Sequence, residues 1–181
     1  MRTARLLLRQ WCDADREPFA ALNADPAVMA HMPAPLDRAA SDAFIDRICA
    51  HFDQHRFGLW AVEVPGVSAF IGYVGLSVPR FSAAFTPCVE VGWRLARAHW
   101  GQGYATEGAR AALSFGFLSA GLTEIVSFTV PANIRSIAVM QRLGMTHDPA
   151  DDFAHPSLPA DHPLSQHVLY RLSPERWLAY A

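Results

Sequence analysis

The chain has 181 residues, 51% of them hydrophobic and 18% charged, with a formal net charge of −2. That length suffices for one domain with a full core, and the lack of clustered positive charge argues against a nucleic-acid partner. The longest uncharged run, 64–79, is broken by Pro and Gly and is too short to cross a bilayer. Every basic residue other than histidine is an arginine. Three widely spaced cysteines do not read as a disulfide framework. Arg5 and Arg9 among the first leucines give no signal-peptide layout, so a cytoplasmic protein is expected.

In chain order, residues 6–8 read as a first strand. A helix is expected over 13–23, with Asp13 as N-cap and Phe19 and Leu22 on its buried face. Asp25-Pro26 stops it, and Pro33 and Pro35 mark a loop that also carries His31 and Met32. Asp37 caps a second helix, in which Phe44, Ile45, Ile48 and Phe52 repeat at helical spacing. Strands over 59–64 and 70–76 are joined by Pro65-Gly66 turn chemistry, and 78–87 is an aromatic, proline-bearing loop.

The stretch 89–117 organises the rest. It opens as a strand, with Val89, Val91 and Trp93 on one face and Cys88, Glu90 and Gly92 on the other. After a polar turn and a glycine loop, Tyr104, Gly108, Ala112, Phe115 and Leu118 fall on one face of a helix that stops near Gly121. A strand over 125–130, a short helix over 133–143 closed by Gly144, a long loop over 147–163, a strand over 167–172 and a terminal helical turn over 174–180 follow. No repeat or linker divides the chain, so residues 1–181 read as a single domain. Two early helices and one strand–helix–strand crossover predict an α/β (α+β) fold, with a mixed central sheet of about seven strands flanked by helices.

Trp100, Gly101, Gln102, Gly103, Tyr104, Ala105 and Thr106 form the joint between strand and helix. Glycines there let backbone N–H groups approach a ligand, and the helix N-terminus adds about half a positive charge. That combination binds phosphate without a lysine. The lysine of a P-loop and the three-glycine dinucleotide fingerprint are both missing. The joint resembles the pyrophosphate loop of the GNAT superfamily of acetyl-CoA-dependent N-acetyltransferases, whose pattern is Gln/Arg-x-x-Gly-x-Gly/Ala. Trp100 takes its first place, Gly103 its fourth and Ala105 its sixth. WGQGYATE is most similar to the RimJ/RimL branch, which acetylates protein N-termini and some small amines and in which an aromatic first residue is usual. The element order resembles the GNAT fold from Arg5 to Leu172. The opening TARLLLRQWCDADREPFAALNADPAVMAHMP, FGLWAVEV, and Asn133-Ile134-Arg135-Ser136 with Leu143-Gly144-Met145 carry the likeness further.

The resemblance implies a GNAT acyl-CoA N-acyltransferase fold and direct transfer of acetyl from acetyl-CoA to a primary amine, either a protein N-terminal α-amine or a small-molecule amine. It implies no metal, no nucleic-acid or membrane partner, and a monomer or homodimer. It places Glu90 on the strand where the family has a glutamate, as candidate base. The alternatives for Glu90 are a solvated strand residue or a partner of Arg94. An α-amine has a pKa of about 7.7–8.0, so removing its proton near neutrality costs only about 1 kcal/mol, and a water with one carboxylate suffices. Glu107, in the first turn of the central helix, is the competitor, and dipole stabilisation is its favoured role.

Ser136 is the candidate for stabilising the leaving thiolate, or a plain capping serine. Many relatives carry a tyrosine one turn further on, where Met140 stands, so stabilisation rather than proton donation is expected. Asn133 would orient the cofactor's amide arm, cap its helix, or both. Backbone groups of Trp93, Arg94 and Leu95 would pair with the pantetheine arm, and residues 101–106 would cradle the pyrophosphate. Arg135 and Arg142 are candidates for the 3′-phosphate, with a solvated helix arginine favoured for each.

Cys88 shares a strand face with Glu90 and is either an acetylated nucleophile or, with more weight, a buried inert thiol. His147, His155, His162 and His167, among Asp148, Asp151, Asp152 and Asp161, lack zinc spacing. They suggest a loop over the acceptor groove, with His155 or His162 touching substrate. Phe57, Trp60, Phe81, Phe85 and Trp100 read as packing residues, one or two of them at the pocket rim. The absence of a broad acidic run argues against a strongly cationic acceptor. The alternative function is a non-catalytic acyl-CoA-binding sensor on the same fold. A nucleotide-binding module is a third reading, which no base- or ribose-reading motif supports.

Overall fold

The computed structural model describes residues 1–180; Ala181, the last residue of the expected domain, lies outside them. Eight strands form one connected sheet: β1 (Leu7–Arg9), β2 (Leu59–Val64), β3 (Ser68–Ser77), β4 (Glu90–Leu95), β5 (Ile125–Thr129), β6 (Thr146–His147), β7 (Phe153–Ala154) and β8 (Gln166–Leu172). The spatial order is β1-β2-β3-β4-β5-β8-β6, with β7 paired to β8. Every pairing is antiparallel except β4 with β5. A parallel pair needs a crossover, and α3 (Tyr104–Ser114) supplies it. The other helices are α1 (Arg16–Ala24), α2 (Arg38–His55), α4 (Ile134–Arg142) and α5 (Pro174–Tyr180). The mixed, helix-flanked sheet is the architecture that the element order implied.

The register of β3 with β4 decides which side chains share a face. Tyr73 lies opposite Arg94, Gly75 opposite Gly92 and Ser77 opposite Glu90. Tyr73 packs edge-on against Phe19 of α1 and Phe44 of α2, so this face of the sheet looks toward the two early helices. The alternate residues Val74, Leu76, Val91 and Leu95 are buried on the opposite face. There α3 comes so close that a Cβ at Gly108 would lie 3.2 Å from Val74.

Four local expectations change. Residues Asp13–Asp15 form a 3-10 turn, and α1 starts at Arg16. The reason is Asp15, whose buried carboxylate accepts the Cys12 N–H at 2.9 Å and grips Arg9 through two bonds of 2.7 and 2.8 Å. Arg9 also reaches Glu63 and the Ala69 carbonyl, so one guanidinium ties β1 to β2 and β3. Asp37 caps α2 as its sequence suggests, accepting from Ala40 N–H at 2.7 Å. The central helix does not keep its period. A π turn over Phe115–Ser119 sends Leu118 outward, 70% exposed, and turns Phe117 into the core. Gly116 presses on the sheet at this point, where a Cβ would lie 2.7 Å from Ile125. The expected loop 147–163 is partly ordered, because β6 and β7 both pair with β8. Lastly, β3 runs from Ser68 to Ser77, longer at both ends than the 70–76 expected.

Without Asp15, Arg9 keeps Glu63 but loses two charge-assisted hydrogen bonds, and the Cys12 N–H loses its acceptor. Asp15→Ala should therefore lower the unfolding free energy by about 2 kcal/mol, read as a lower urea midpoint with an unchanged slope.

Candidate functional site

The strands β4 and β5 share a single register pair, Glu90 with Val126, held by the Val126 N–H on the Val89 carbonyl at 2.9 Å. Beyond it they part. β4 stays with β3 as far as Leu95, and β5 stays with β8 as far as Thr129. The parting opens a gap between Gly92–Leu95 and Phe128–Thr129. Since Val89 turns its carbonyl toward β5, strand alternation turns the backbone groups of Trp93 and Leu95 into the gap. The Leu95 carbonyl is already taken by the Trp100 indole N–H at 2.7 Å. Arg94 instead directs its carbonyl at β3, where a Cβ on Gly72 would lie 2.1 Å from it.

At the far end of β4 the chain enters α3 through two left-handed glycines, Gly101 at φ +74 and Gly103 at φ +78. A Cβ at Gly101 would meet nothing within 4 Å, so the loop is open to solvent there. The first bond into α3 is Glu107 N–H to the Gly103 carbonyl at 3.0 Å. The N–H groups of Tyr104, Ala105 and Thr106 therefore have no acceptor among the described residues. Three free donors at a positive dipole end suit the oxygens of a pyrophosphate. Arg5 stands beside them, bonded to the Gln102 carbonyl at 2.9 Å and stacked 4.9 Å over Tyr104. Glu107 fixes Arg5 by accepting from its backbone N–H at 2.8 Å and its Nε at 2.7 Å, and it also accepts from Thr3 Oγ1 at 2.6 Å. Burial works against the charge of Glu107, but these bonds outweigh it and hold the carboxyl below the usual range. Glu107 is thus an anchor for the N-terminal segment.

On the face toward α1 and α2, two adjoining cavities of about 270 and 320 Å³ meet at Glu90 and Tyr73, which line both. The first is walled by Phe44, Arg47, His51 and Arg80. The second is walled by His31, Arg94, Phe128, Thr129, His155 and His167. Burial pushes the Glu90 carboxyl up to about 8, against a long hydrogen bond of 3.5 Å from Ser77 Oγ. Among the described residues no arginine pairs with it. Arg94 is turned away, with Nη1 on Asn23 Oδ1 at 2.6 Å and its guanidinium 5.6 Å from the rings of Phe44 and Tyr73. A carboxyl that titrates near neutrality, in a cleft beside a gap in the sheet, suits proton exchange with a bound amine.

The histidines divide sharply. Both His51 nitrogens are engaged, Nδ1 with the Phe57 carbonyl at 2.9 Å and Nε2 with the Val78 N–H at 3.0 Å. His167 Nδ1 lies 3.1 Å from the Ser165 carbonyl. A carbonyl only accepts, so Nδ1 holds the hydrogen and Nε2 is left as an acceptor. His155 Nδ1 accepts from the Ser157 N–H at 3.2 Å. Burial lowers the pKa of both His155 and His167; the nearby His167 lowers that of His155 further, whereas the bond to the Ser165 carbonyl partly offsets the shift of His167. His162 is not on the cavity walls; its Nδ1 accepts from the Leu164 N–H. His147 stacks on Tyr170 and bonds Asp152 at 2.7 Å, outside the cleft. Phe57 and Trp60 are core, and Phe81 and Phe85 join Phe128 and Phe153 in an aromatic cluster beside the second cavity.

Across the gap, Asn133 caps α4 by accepting from the Ser136 N–H at 3.3 Å, and it donates to Thr129 Oγ1 at 2.9 Å. The Ser136 hydroxyl makes no hydrogen bond among the described residues and is half-exposed. One turn on, Met140 is fully buried in the core, so no side-chain donor stands there. Arg135 covers Trp100 at 4.6 Å, and Arg142 is exposed. Cys88 is a poor nucleophile: burial, then the nearby Glu90 and Glu124, push its thiol up to about 11. Sequence reading missed Tyr73, Ser77, His167 and the side chain of Arg94 as cleft residues. Strand alternation gives their phase, but only the pairing register puts Ser77 opposite Glu90. Among the described residues, no helix is long and apolar enough to cross a membrane, and no three His, Cys, Asp or Glu side chains converge to hold a metal.

The family described as acetyltransferase (GNAT) domain matches residues 5–146. The uncharacterized protein YkkB of Bacillus subtilis (strain 168) is 32% identical over 144 residues, which are 79% of this chain and 83% of that one. The crystal structure of the acetyltransferase from Agrobacterium tumefaciens str. C58 superposes with a TM-score of 0.76 at 28% identity, covering 95% of this chain and 92% of the other. Mycobacterium smegmatis RimJ in complex with CoA-disulfide superposes with a TM-score of 0.72 at 18% identity, covering 96% and 88%. At that identity the likeness to RimJ is one of fold.

A carboxyl whose folded pKa lies above its unfolded value binds more protons folded than unfolded, so stability falls as pH rises between the two values. Glu90 moves from about 4.5 to about 8. The melting temperature of the native protein, relative to that of Glu90→Gln, should fall as pH rises from about 5 and level off above about 8.

Proposed function

The chain belongs to the GNAT acetyltransferase family and is an N-acetyltransferase, and we propose that its donor is acetyl-CoA, its acceptor a primary amine, and Glu90 its base. The observation that carries this is the place of Glu90: at the junction of both cavities, next to the parting of β4 and β5, with its pKa raised to about 8. An α-amine titrates at about 7.7–8.0, so a proton passes between it and Glu90, directly or through one water, at almost no cost.

Bound acetyl-CoA would supply an acetyl thioester as the group transferred. Trp100, Gly101, Gln102 and Gly103 shape the loop, and the free N–H groups of Tyr104, Ala105 and Thr106 hold the pyrophosphate. Trp93 and Leu95 offer backbone groups in the gap to the amide arm. Asn133, already capping α4, keeps Ser136 in the first helical turn, where a free hydroxyl and the helix dipole stabilise negative charge on sulfur. Met140 provides no proton, and a thiol pKa near 8.5 makes stabilisation sufficient.

This reading takes residues 1–181 as one catalytic domain, monomeric or homodimeric. It keeps the RimJ/RimL-like branch on the wording WGQGYATE. Three unpaired cysteines suit a reducing, cytoplasmic setting.

The test is release of free CoA thiol from acetyl-CoA across a panel of amines. Glu90→Gln should lower kcat/KM by about 100- to 1,000-fold with little change in acetyl-CoA affinity. Equal rates in the native protein and the variant would remove Glu90 from the chemistry. Binding of CoA with no thiol release for any amine would leave a sensor on the same fold.

A further inference from the structure

We propose that the acceptor is a small amine that also carries a carboxylate, and that the Arg94 side chain is the residue that selects it. This rests on the acetyltransferase reading of the cleft and names the class of its second substrate.

The first observation is a buried polar relay. Asn23 of α1 and Ser41 of α2 are both 0% exposed. Asn23 donates to Ser41 Oγ at 2.9 Å and accepts from Arg94 Nη1 at 2.6 Å. Burying polar groups is unfavourable unless they are satisfied, and here two of them, from two helices, orient one guanidinium. The rings of Phe44 and Tyr73 fix its plane. A guanidinium held in one orientation by packing and hydrogen bonds is prepared to bind a planar oxyanion.

The second observation is what Arg94 lacks. Among the described residues no carboxylate pairs with it, whereas the other half-buried arginines, Arg9, Arg16 and Arg171, each have at least two. Its Nε is sealed from solvent without an acceptor, and Nη2 makes no hydrogen bond among the described residues. Packing on two aromatic rings accounts for neither. Arg94 lines the same 320 Å³ cavity as Glu90, so one ligand can meet both.

The third observation is the sign of the walls. Arg47 and Arg80 in the adjoining cavity also have no carboxylate partner, and Glu90 is the single acidic residue lining either cavity. Walls of one sign concentrate ligands of the other. A polycationic amine would meet repulsion here, whereas an amine with a carboxylate leaves its amino group to Glu90 and its anion to Arg94. Cavities of this size suit a small molecule.

The experiment compares acceptors with and without a carboxylate, each rate corrected for its fraction of free amine: free amino acids against their primary amides, and short peptides with an acidic against an amide second residue. Thiol release gives kcat/KM for each pair, and calorimetric titration in the presence of CoA gives binding without turnover. The native protein should favour the carboxylate member by at least about tenfold. That ratio should drop about tenfold or more in Arg94→Gln. It should also drop in Asn23→Asp, which keeps the volume and the guanidinium but supplies an internal carboxylate. Preference for the acidic peptides over free amino acids would keep the role of Arg94 and move the carboxylate to a protein N-terminal segment. Brisk acetylation of amines with no carboxylate preference, or with one that both variants retain, would overturn the proposal while leaving the enzyme reading intact. A carboxylate preference in binding, lost in both variants but with no thiol release, would uphold the site and overturn the enzyme reading.

Discussion

Everything in the cleft depends on one pairing that stops. Parallel strands joined through α3 would normally continue their ladder, but β4 and β5 keep only the Glu90–Val126 pair. Backbone groups left without partners are costly when buried, and those of Trp93 face the gap beside a helix end with three free N–H donors of its own, while the Leu95 carbonyl there is met by the Trp100 indole. A ligand rich in amide and phosphate oxygens would satisfy both sets. The same parting brings the N-terminus of α4, with Asn133 and Ser136, to the other side of the gap. The rest of the sheet is held on either side, by β3 against β4 and by β8 against β5.

The other face of β4 carries Glu90, the proposed base, and desolvation raises its pKa. Glu90 has no cationic partner; the arginine four residues along its strand is held by Asn23. Had Arg94 faced Glu90, the carboxylate would be held ionised and its pKa pulled down. Two charges on one strand face are thus kept apart by a relay from α1 and α2, and both remain available to a ligand. The early helices, which lie far from the glycine loop in sequence, shape the acceptor side. The crossover helix and α4 shape the donor side.

Much of this was legible in the sequence because it is local. The Asp37 cap, the strand over 59–64, the glycine joint and the Asn133 cap each follow from a few neighbouring residues. The π turn was not: it falls where Gly116 meets Ile125 and Leu76 of the sheet, a contact that the helical spacing does not encode. The start of α1 shifted because Asp15 is claimed by Arg9 of β1, whose guanidinium is itself placed by β2 and β3. For the site, the strand phase put Glu90 on the correct face, but register was needed to bring Ser77 and Tyr73 beside it. The Arg94 side chain was legible only as a possible partner of Glu90, since its actual setting depends on two buried residues more than 50 positions earlier.

The central claim is that the parted strands and the glycine loop together bind acetyl-CoA. Calorimetric titration of the native protein and of Gly103→Glu with acetyl-CoA tests it most directly. A glutamate at Gly103 places a negative charge where the pyrophosphate would lie, and a thermal melt of the variant shows whether the fold tolerates a side chain at φ +78. One site per chain in the native protein, weakened by about 100-fold or more in a folded variant, is the result expected. No binding by the native protein, or equal binding by both, would contradict it.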